Sequence, residues 1–268
     1  MRCIIREGDG VFVYLALGNC NVTKYNMGTY SYGQSCSVDG KQYQPSPHAV
    51  TQVTGQKNAS YCYDDVGNLL KGDGRNVTWS AFNKPTLITK GNDKSVALTY
   101  GPSRSRTLRV DTVNGQKTTT TYLGGSYEKI EKPLGILEEK IYIGGFAVIT
   151  VTNSDYDHPD EQYLLKDHIG STVALVNEQL TSVMQGGVSA LVPDVQHLAF
   201  DPWGKRRNFL DWSAYSEGSI VEFAAATNRG FTGHEMLDPV GLVHMNGRVY
   251  DPELGRFLSA DPIIQERN

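Results

Sequence analysis

The 268-residue sequence lacks long hydrophobic runs, a strong bias of charge and a dense set of cysteines. No stretch reaches the roughly 20 apolar residues that a membrane-spanning helix needs, so we expect no membrane span. The net charge of −4 arises from 25 basic and 29 acidic residues that are interspersed, which argues against a nucleic-acid partner. The one dense basic cluster, Lys205-Arg206-Arg207, follows a turn motif and is interpreted as a solvated flank of that turn.

Cysteine is scarce and unevenly placed. The four cysteines are Cys3, Cys20, Cys36 and Cys62, all in the first quarter of the chain. Their spacing matches neither a CxxC redox motif nor a zinc site, and it leaves any pairing open. Because the chain has no dense disulfide framework, we expect free thiols in a protein that folds in the cytosol.

Strand-forming and turn-forming residues are abundant. The chain contains 28 glycines and 15 tyrosines, together with many threonines and valines. Such a composition favours short strands joined by tight turns over long helices. The sequence therefore predicts an all-β fold.

Aromatic residues recur with a period of about twenty residues. They are Tyr63, Trp79, Tyr100, Tyr122, Tyr142 and Tyr163, at intervals of 16, 21, 22, 20 and 21 residues. Glycine-containing turns lie between them, and Asn114-Gly115 is a strong hairpin signal. We predict a hairpin repeat of about 20 residues, in which neighbouring hairpins supply the core and most of the tyrosines are buried at equivalent positions.

The first repeat contains the most specific motif. Residues 61–69 read YCYDDVGNL, and we expect the carboxylate of Asp64 to accept hydrogen bonds from the backbone of the turn. This motif resembles the YxYDxxGNL form of the YD repeat found in Rhs proteins. Residues 163–172 and 197–206 are also similar to this family, whereas residues 179–194 are interpreted as a variable insertion in a loop.

The C-terminal stretch 248–262 reads RVYDPELGRFLSADP. It resembles the core-associated signature of self-cleaving Rhs proteins and of the C subunits of tripartite insecticidal toxin complexes. The resemblance covers residues 47–262 and implies stacked hairpins that form part of a curved shell, with a C-terminal plug turned inward. It divides the chain into residues 1–46, of unknown assignment but expected to add strands to the sheet, a repeat wall over 47–229, and the signature over 230–268.

The resemblance also implies the site residues. Asp261 matches the catalytic aspartate of an aspartyl-type self-cleavage reaction, and Arg248 matches its assisting arginine. The partner aspartate belongs to a downstream DPxG segment that we expect beyond residue 268, so only half of the site is expected in this chain. The alternative is that Asp261 only caps a turn. We expect no turnover enzyme and no cofactor.

A shell of this kind would enclose and deliver a C-terminal toxin. The implied partners are that toxin and further shell segments, with a secretion spike, an adaptor, an immunity protein or a second copy of the chain as additional candidates. The implied location is the bacterial cytoplasm before export, as in type VI secretion, and then a target cell. A carbohydrate-binding or adhesive surface module is the alternative, and outward-facing aromatic residues would favour it.

Other groups of polar residues carry weaker signals. Asp167, His168 and Ser171 lack the strained turn of an activated nucleophile and are interpreted as structural. His234-Glu235 lacks the second histidine of a zinc protease, because position 238 is Asp238. The acidic stretch of Asp155, Asp157, Asp160 and Glu161 lacks the spacing of a calcium loop, so we expect no metal site.

Overall fold

The all-β prediction is confirmed. The computed structural model describes residues 2–7, 10–15, 27–185, 188–215 and 227–261, and this part of the chain contains β-strands and three short 3-10 turns but no α-helix. Within these ranges there is accordingly no helix long and apolar enough to span a membrane.

The chain forms two compact units. The first unit comprises residues 1–92 and 248–268, and the second comprises residues 93–247. This division by compactness runs through both the repeat wall and the C-terminal signature. The three regions that the sequence resemblance implies therefore stay predictions.

Short strands follow one another along the whole of both units. The first unit contains β1 (Arg2–Glu7), β2 (Gly10–Leu15), β3 (Thr29–Tyr32), β4 (Cys36–Val38), β5 (Lys41–Tyr43), β6 (Val50–Thr54), β7 (Ala59–Tyr63), β8 (Leu69–Gly72), β9 (Arg75–Trp79) and β10 (Pro85–Lys90). The second unit contains β11 (Lys94–Tyr100), β12 (Arg106–Val113), β13 (Gln116–Leu123), β14 (Tyr127–Glu131), β15 (Leu137–Ile143), β16 (Ala147–Thr152), β17 (Asp155–Lys166), β18 (Thr172–Gln185), β19 (Val188–His197), β20 (Ala199–Phe200), β21 (Arg206–Arg207), β22 (Glu235–Leu237) and β23 (Leu242–Met245). The chain returns to the first unit with β24 (Arg248–Asp251) and β25 (Arg256–Phe257).

Antiparallel neighbours dominate both units. In the first unit, the main sheet has the order β3-β6-β7-β8-β9-β10, while β1 pairs with β2, β4 with β5 and β24 with β25. In the second unit, β11 to β19 follow one another in sequence order, and β20–β21 and β22–β23 form separate hairpins. Sequential pairing of this kind is what stacked hairpin repeats require.

The predicted hairpin repeat is confirmed. Each of the five intervals between successive aromatic residues corresponds to two strands, from β7–β8 for the first interval to β15–β16 for the last. The turn between β12 and β13 contains Asn114 and Gly115, both with positive φ (50° and 78°), and Val113 pairs with Gln116 across it. This is the two-residue hairpin turn that the Asn-Gly pair predicts.

The turn at Asp64 forms as predicted, and two further aspartate turns share its geometry. Asp64 Oδ1 accepts hydrogen bonds from the backbone N–H groups of Val66 (3.0 Å) and Asn68 (2.8 Å), and Gly67 adopts a φ of 87°. Asp167 and Asp201 make the same pair of bonds to the residues two and four positions later, and they are followed by Gly170 and Gly204 at φ 87° and 90°. One local sequence pattern therefore closes three turns in the same way.

Burial of the repeat tyrosines is only partly as predicted. Tyr142 is buried in a core cluster with Val148, Leu164, Leu175 and Leu198, and Tyr100 and Tyr122 are half-buried. Tyr163 is 45% exposed, so the prediction is wrong at this position. Because side chains alternate between the faces of a strand, placing Leu164 in the core turns Tyr163 to the opposite face.

The expectation of free thiols is wrong for two of the cysteines. Cys36 in β4 and Cys62 in β7 form a disulfide, with their Cα atoms 5.7 Å apart. The two strands are not neighbours in the main sheet, so no local sequence pattern reveals their proximity. The expectation for Cys3 and Cys20 concerns side chains outside the described part of the chain.

Two further interpretations are corrected. Residues 179–185 and 188–194 lie in the paired strands β18 and β19, so the predicted loop insertion is a long hairpin. Its segments LTSVM and VSALV are rich in the β-branched and apolar residues that strands favour. In the basic cluster, Arg206 is buried and binds Asp238 through two hydrogen bonds of 3.0 and 3.2 Å, so this residue is not a solvated flank.

Candidate functional site

The two residues assigned to self-cleavage lie together in the first unit. Arg248 Nη2 and Asp261 Oδ2 are 3.0 Å apart. The Arg248 side chain is 24% exposed and the Asp261 side chain is 53% exposed, so the pair lies at the surface of its unit. Pro262, which completes the signature, is outside the described residues.

The β24–β25 hairpin brings this pair together. Tyr250 pairs with Phe257 and Asp251 with Arg256, so the chain reverses direction within a few residues. Beyond the hairpin, the Leu258 N–H donates to the Val249 carbonyl (2.8 Å), which keeps the returning chain alongside β24. Residues close to the two ends of a hairpin lie close together, and this local geometry accounts for the contact across 13 positions.

Aromatic packing orients the arginine. The guanidinium carbon of Arg248 lies 3.7 Å from the centre of the Phe257 ring, well within the range of a cation–π contact. Phe257 in turn packs edge-on against Tyr250, with the ring centres 5.5 Å apart. The ring below the guanidinium plane limits its rotation while its N–H groups bind the carboxylate of Asp261.

The turn of this hairpin is anchored in the interior of the first unit. Asp251 Oδ1 accepts the backbone N–H groups of Glu253 (2.8 Å) and Leu254 (3.1 Å), two and three positions later, whereas the other aspartate turns use the amides two and four positions later. Asp251 Oδ2 binds Arg75 Nη1 at 3.0 Å, and both side chains are buried. Arg75 also contacts Asp73 (3.2 Å), which binds Lys57 at 2.7 Å. A network of alternating charges therefore connects the signature to strand β9 and the turn before it.

Two buried tyrosines adjoin this network. Burial, with the negative charges of Asp251 and Asp73, raises the pKa of Tyr61. Burial and then Asp251 likewise raise the pKa of Tyr63. Both phenols are therefore neutral at physiological pH, and they add no charge to the network.

The second unit has an analogous anchor at Glu235. Its carboxylate binds Arg109 at 2.6 Å and the Tyr122 hydroxyl at 2.5 Å, and it also accepts a hydrogen bond from Arg106. Arg109 is buried and also donates to Asp111 (2.6 and 2.7 Å) and to the Met236 carbonyl (3.1 Å). Burial alone would lower the pKa of Arg109, but the charge of Asp111 reverses this and raises it.

A second arginine–carboxylate contact, between Arg229 and Glu128, lies in the same unit. Arg229 donates to Glu128 (3.2 Å) and to the Gly125 carbonyl (2.8 Å), and its guanidinium stacks 3.5 Å above the Tyr142 ring. Residues 227–247 are thus bound to β12 and β14 by arginine–carboxylate pairs, to β13 by the Tyr122 hydroxyl and to β15 by the cation–π contact with Tyr142. Single arginines and glutamates in a sequence give no signal for such pairs, and none of these residues was predicted as functional.

The other polar groups have structural roles. Asp167 caps its turn, and Ser171 Oγ accepts the N–H of Thr232 at 3.0 Å. His234 Nδ1 lies 2.8 Å from the Thr232 hydroxyl, and burial lowers the pKa of His234. Across the described residues, no three His, Cys, Asp or Glu side chains are arranged to hold a metal ion.

Comparison with known proteins gives structural matches only. No family model and no curated protein matches the chain. The crystal structure of TcdB2-TccC3 matches with a TM-score of 0.52 at 16% identity, over 76% of this chain and 12% of that chain. The same complex without its hypervariable C-terminal region matches with a TM-score of 0.52 at 15% identity, over 94% and 16% of the two chains.

The Photorhabdus luminescens Tc holotoxin pore, which carries a TccC3 mutation, gives a TM-score of 0.51 at 16% identity over 94% of this chain and 15% of that chain. The chain therefore spans between 12% and 16% of the length of these structures. At such low identity the likeness concerns the fold. This chain has the fold of a segment of Tc toxin-complex chains.

Proposed function

We propose that this chain is a structural shell segment of an Rhs-type toxin protein, which encloses a C-terminal toxin polypeptide until delivery. The observation that carries the proposal is the anchoring of the signature region by buried ion pairs, Arg75 with Asp251 and Arg109 with Glu235. A segment that only connects two domains has no need of such anchors. The match to segments of Tc toxin structures supports the same function.

The proposed partners follow from this role. They are the toxin cargo and further shell segments, with a spike, adaptor or immunity protein, or a second copy of the chain, as additional candidates. The proposed location is the bacterial cytoplasm before export, by a type VI or related system, and a target cell after delivery. In bacterial competition or host attack, the shell would keep the toxin away from the cell that makes it.

Protease protection tests the shell role. The complete product of the encoding gene is incubated with a nonspecific protease, and the C-terminal cargo is followed by an antibody against a terminal tag. We expect the cargo to persist in the whole protein and to be degraded when it is expressed without the shell. Equal rates of degradation would overturn the proposal.

We further propose that Asp261 and Arg248 form half of an aspartyl self-cleavage site. With a second aspartate, one carboxylate can act as general base on water and the other as general acid on the leaving amine. Arg248, held against Phe257, would fix the orientation of the Asp261 carboxylate. Asp261 would supply one of the two carboxylates that this reaction needs.

Cleavage is tested in a protein extended through the downstream DPxG segment. Wild type, Asp261→Asn and Arg248→Ala are compared by gel after folding is verified by circular dichroism. We expect cleavage in the wild type, none in Asp261→Asn and slower cleavage in Arg248→Ala. If Asp261→Asn is cut as fast as wild type, Asp261 is a turn cap.

One observation favours the second candidate, a carbohydrate-binding or adhesive module. Phe146, Tyr156 and Tyr163 are exposed in the second unit, and exposed aromatic rings can stack on sugars. Glycan-array binding by the chain that disappears in a Phe146→Ala/Tyr163→Ala variant would support this function. Absence of binding to any glycan would leave the shell role as the only candidate.

A further inference from the structure

We propose that the Cys36–Cys62 disulfide is a reducible latch, which determines how firmly the first unit holds residues 248–261. The bond joins β4 to β7 over a sequence separation of 26 residues. The β4–β5 hairpin lies outside the main sheet, so the disulfide attaches it covalently to a central strand. The latch concerns this unit alone and does not depend on the proposed toxin function.

Other contacts of this hairpin region are modest. Gln44 Nε2 donates to the Gly33 carbonyl at 2.8 Å, at an exposed position. Lys41 and Asp65 form an ion pair at 3.8 Å in which both side chains are largely exposed. Exposed pairs of this kind contribute little to stability, so the disulfide is the strongest of these links.

Strand β3, which precedes Cys36, contacts Leu254 and Arg256 of the C-terminal segment. The Tyr30 hydroxyl in β3 donates to the Leu254 carbonyl at 3.4 Å. The Arg256 guanidinium lies 6.0 Å from the ring of Tyr32, also in β3. The β3 strand is at the edge of the main sheet and pairs only with β6 in the described residues, and an edge strand opens more easily than a strand paired on both sides.

The residues that follow Cys62 contact Leu258 and Ala260 of the same segment. The Leu69 N–H donates to the Leu258 carbonyl at 2.7 Å. Gly67, in the Asp64 turn, lies against Ala260, since a Cβ added at Gly67 would be only 3.3 Å from the Ala260 methyl carbon. The disulfide therefore ties together the two stretches of chain that clasp residues 254–260.

A thiol reductant can reach this bond from the Cys36 side. Cys62 is buried, whereas Cys36 is partly exposed. The thiolate of a monothiol of the glutathione class attacks Cys36 Sγ, the S–S bond breaks, and the Cys62 thiolate leaves and takes up a proton. A second thiol resolves the mixed disulfide, so two external thiols are oxidised to one disulfide while Cys36 and Cys62 gain two electrons and two protons.

Reduction removes a constraint on the unfolded and partly opened chain. For a sequence separation of 26 residues, the chain-entropy model predicts an increase of roughly 400-fold in the equilibrium constant for unfolding. Opening of the β3–β5 region removes the contacts of Tyr30 and Tyr32 with the C-terminal segment. We therefore expect residues 254–258 to become more dynamic under reducing conditions, such as those of a cytosol.

Hydrogen exchange followed by mass spectrometry tests the latch. The chain is used in a Cys3→Ser/Cys20→Ser background, which prevents disulfide exchange with other cysteines, and is compared with and without a monothiol reductant. We expect the amides of Leu69 and Leu258 to exchange at least about 10-fold faster after reduction. The amide of Gly170, which donates to Asp167 in the other unit, is the internal control and should not change.

Two variants separate loss of the bond from a general effect of the reductant. Cys36→Ser removes the bond at a partly exposed position, and Cys62→Ala removes it in the core. Both should exchange rapidly without reductant and should not respond to it. If Cys62→Ala does not fold, Cys36→Ser and the reduced wild type decide the outcome. Unchanged exchange of Leu69 and Leu258 in these samples, or two free thiols in the protein purified without reductant, would overturn the proposal.

Discussion

Arg75 and Asp251 lie 176 positions apart in the sequence and form an ion pair of 3.0 Å, in which the side chains are 3% and 0% exposed. Removing one partner of a buried pair leaves an uncompensated charge, which typically costs about 3–5 kcal/mol. We therefore expect Arg75→Met to lower the free energy of unfolding by about that amount in urea denaturation.

The matched control is Lys41→Met. Lys41 pairs with Asp65 at 3.8 Å at a largely exposed position, and we expect a loss of about 0.5 kcal/mol or less. If Arg75→Met is no more destabilising than Lys41→Met, the pair with Asp251 is not an anchor of the C-terminal segment.

Tyr122 and Glu235 provide a test in the second unit. Tyr122→Phe deletes only the hydroxyl that donates to the carboxylate at 2.5 Å, and a hydrogen bond to a charged group contributes about 1.5–3 kcal/mol. We expect a loss of that size and faster proteolysis within residues 227–247. Tyr163→Phe, at an exposed position, is the control and should stay within about 0.5 kcal/mol of wild type. Equal stability of the two variants would contradict the assigned role of Glu235.

These two anchors show what the sequence could and could not predict. The turns at Asp64, Asp167 and Asp201 were predictable in kind because each carboxylate binds amides only two and four residues away. The pairs made by Arg75 and Arg109 depend on residues more than 100 positions away, and no local pattern encodes them. Glu235 was noticed only as part of an incomplete zinc motif, although it is the centre of a buried hydrogen-bond network.

The sequence also could not predict the strand register, which decides whether each repeat tyrosine faces the core. The repeat spacing predicted correctly that Tyr142 is buried, but a shift of one position places Leu164 in the core and Tyr163 outside. We expect Tyr142→Ala to cost about 3–5 kcal/mol, because it removes a large buried ring. Tyr163→Ala should cost less than about 1 kcal/mol. Thermal unfolding of both variants distinguishes them, and a larger loss for Tyr163→Ala would show that the register of β17 is wrong.

A substitution at Gly204 tests the contact between the Asp201 turn and Phe231, which lies in the C-terminal region of the same unit. A Cβ at Gly204 would lie 2.4 Å from the Phe231 ring, and the residue has a φ of 90°. Gly204→Ala is therefore expected to cost at least about 2 kcal/mol, from backbone strain and overpacking together. Gly115→Ala has a similar φ of 78° but open space around it, and should cost only about 1 kcal/mol. Equal losses would mean that Phe231 does not pack on this turn.

The lowered pKa of the buried Lys140 predicts an unusual pH dependence of the free energy of unfolding. Burial lowers the pKa of Lys140 to about 8, although the negative charge of Glu138 partly offsets this decrease. In the unfolded chain the pKa has its ordinary value of 10.5. Between these two values the unfolded state binds the extra proton, so the free energy of unfolding should rise as the pH increases from about 8. Above about pH 10 it should fall, because buried tyrosines such as Tyr142 have raised pKa values and ionise first in the unfolded state.

Chemical denaturation from pH 7 to 10.5 measures this profile. In Lys140→Met the rise above pH 8 should disappear while the fall above pH 10 remains. A rise of the same size in Lys140→Met would assign the effect to another group.

The shell role itself is tested most directly by a cryo-electron microscopy reconstruction of the complete protein that contains this sequence. We expect a closed β-shell in which residues 27–261 form part of the wall, with further polypeptide inside it and the signature held at the Arg75–Asp251 and Arg109–Glu235 pairs. An open sheet with no enclosed polypeptide, and with the signature detached from those arginines, would contradict the shell role.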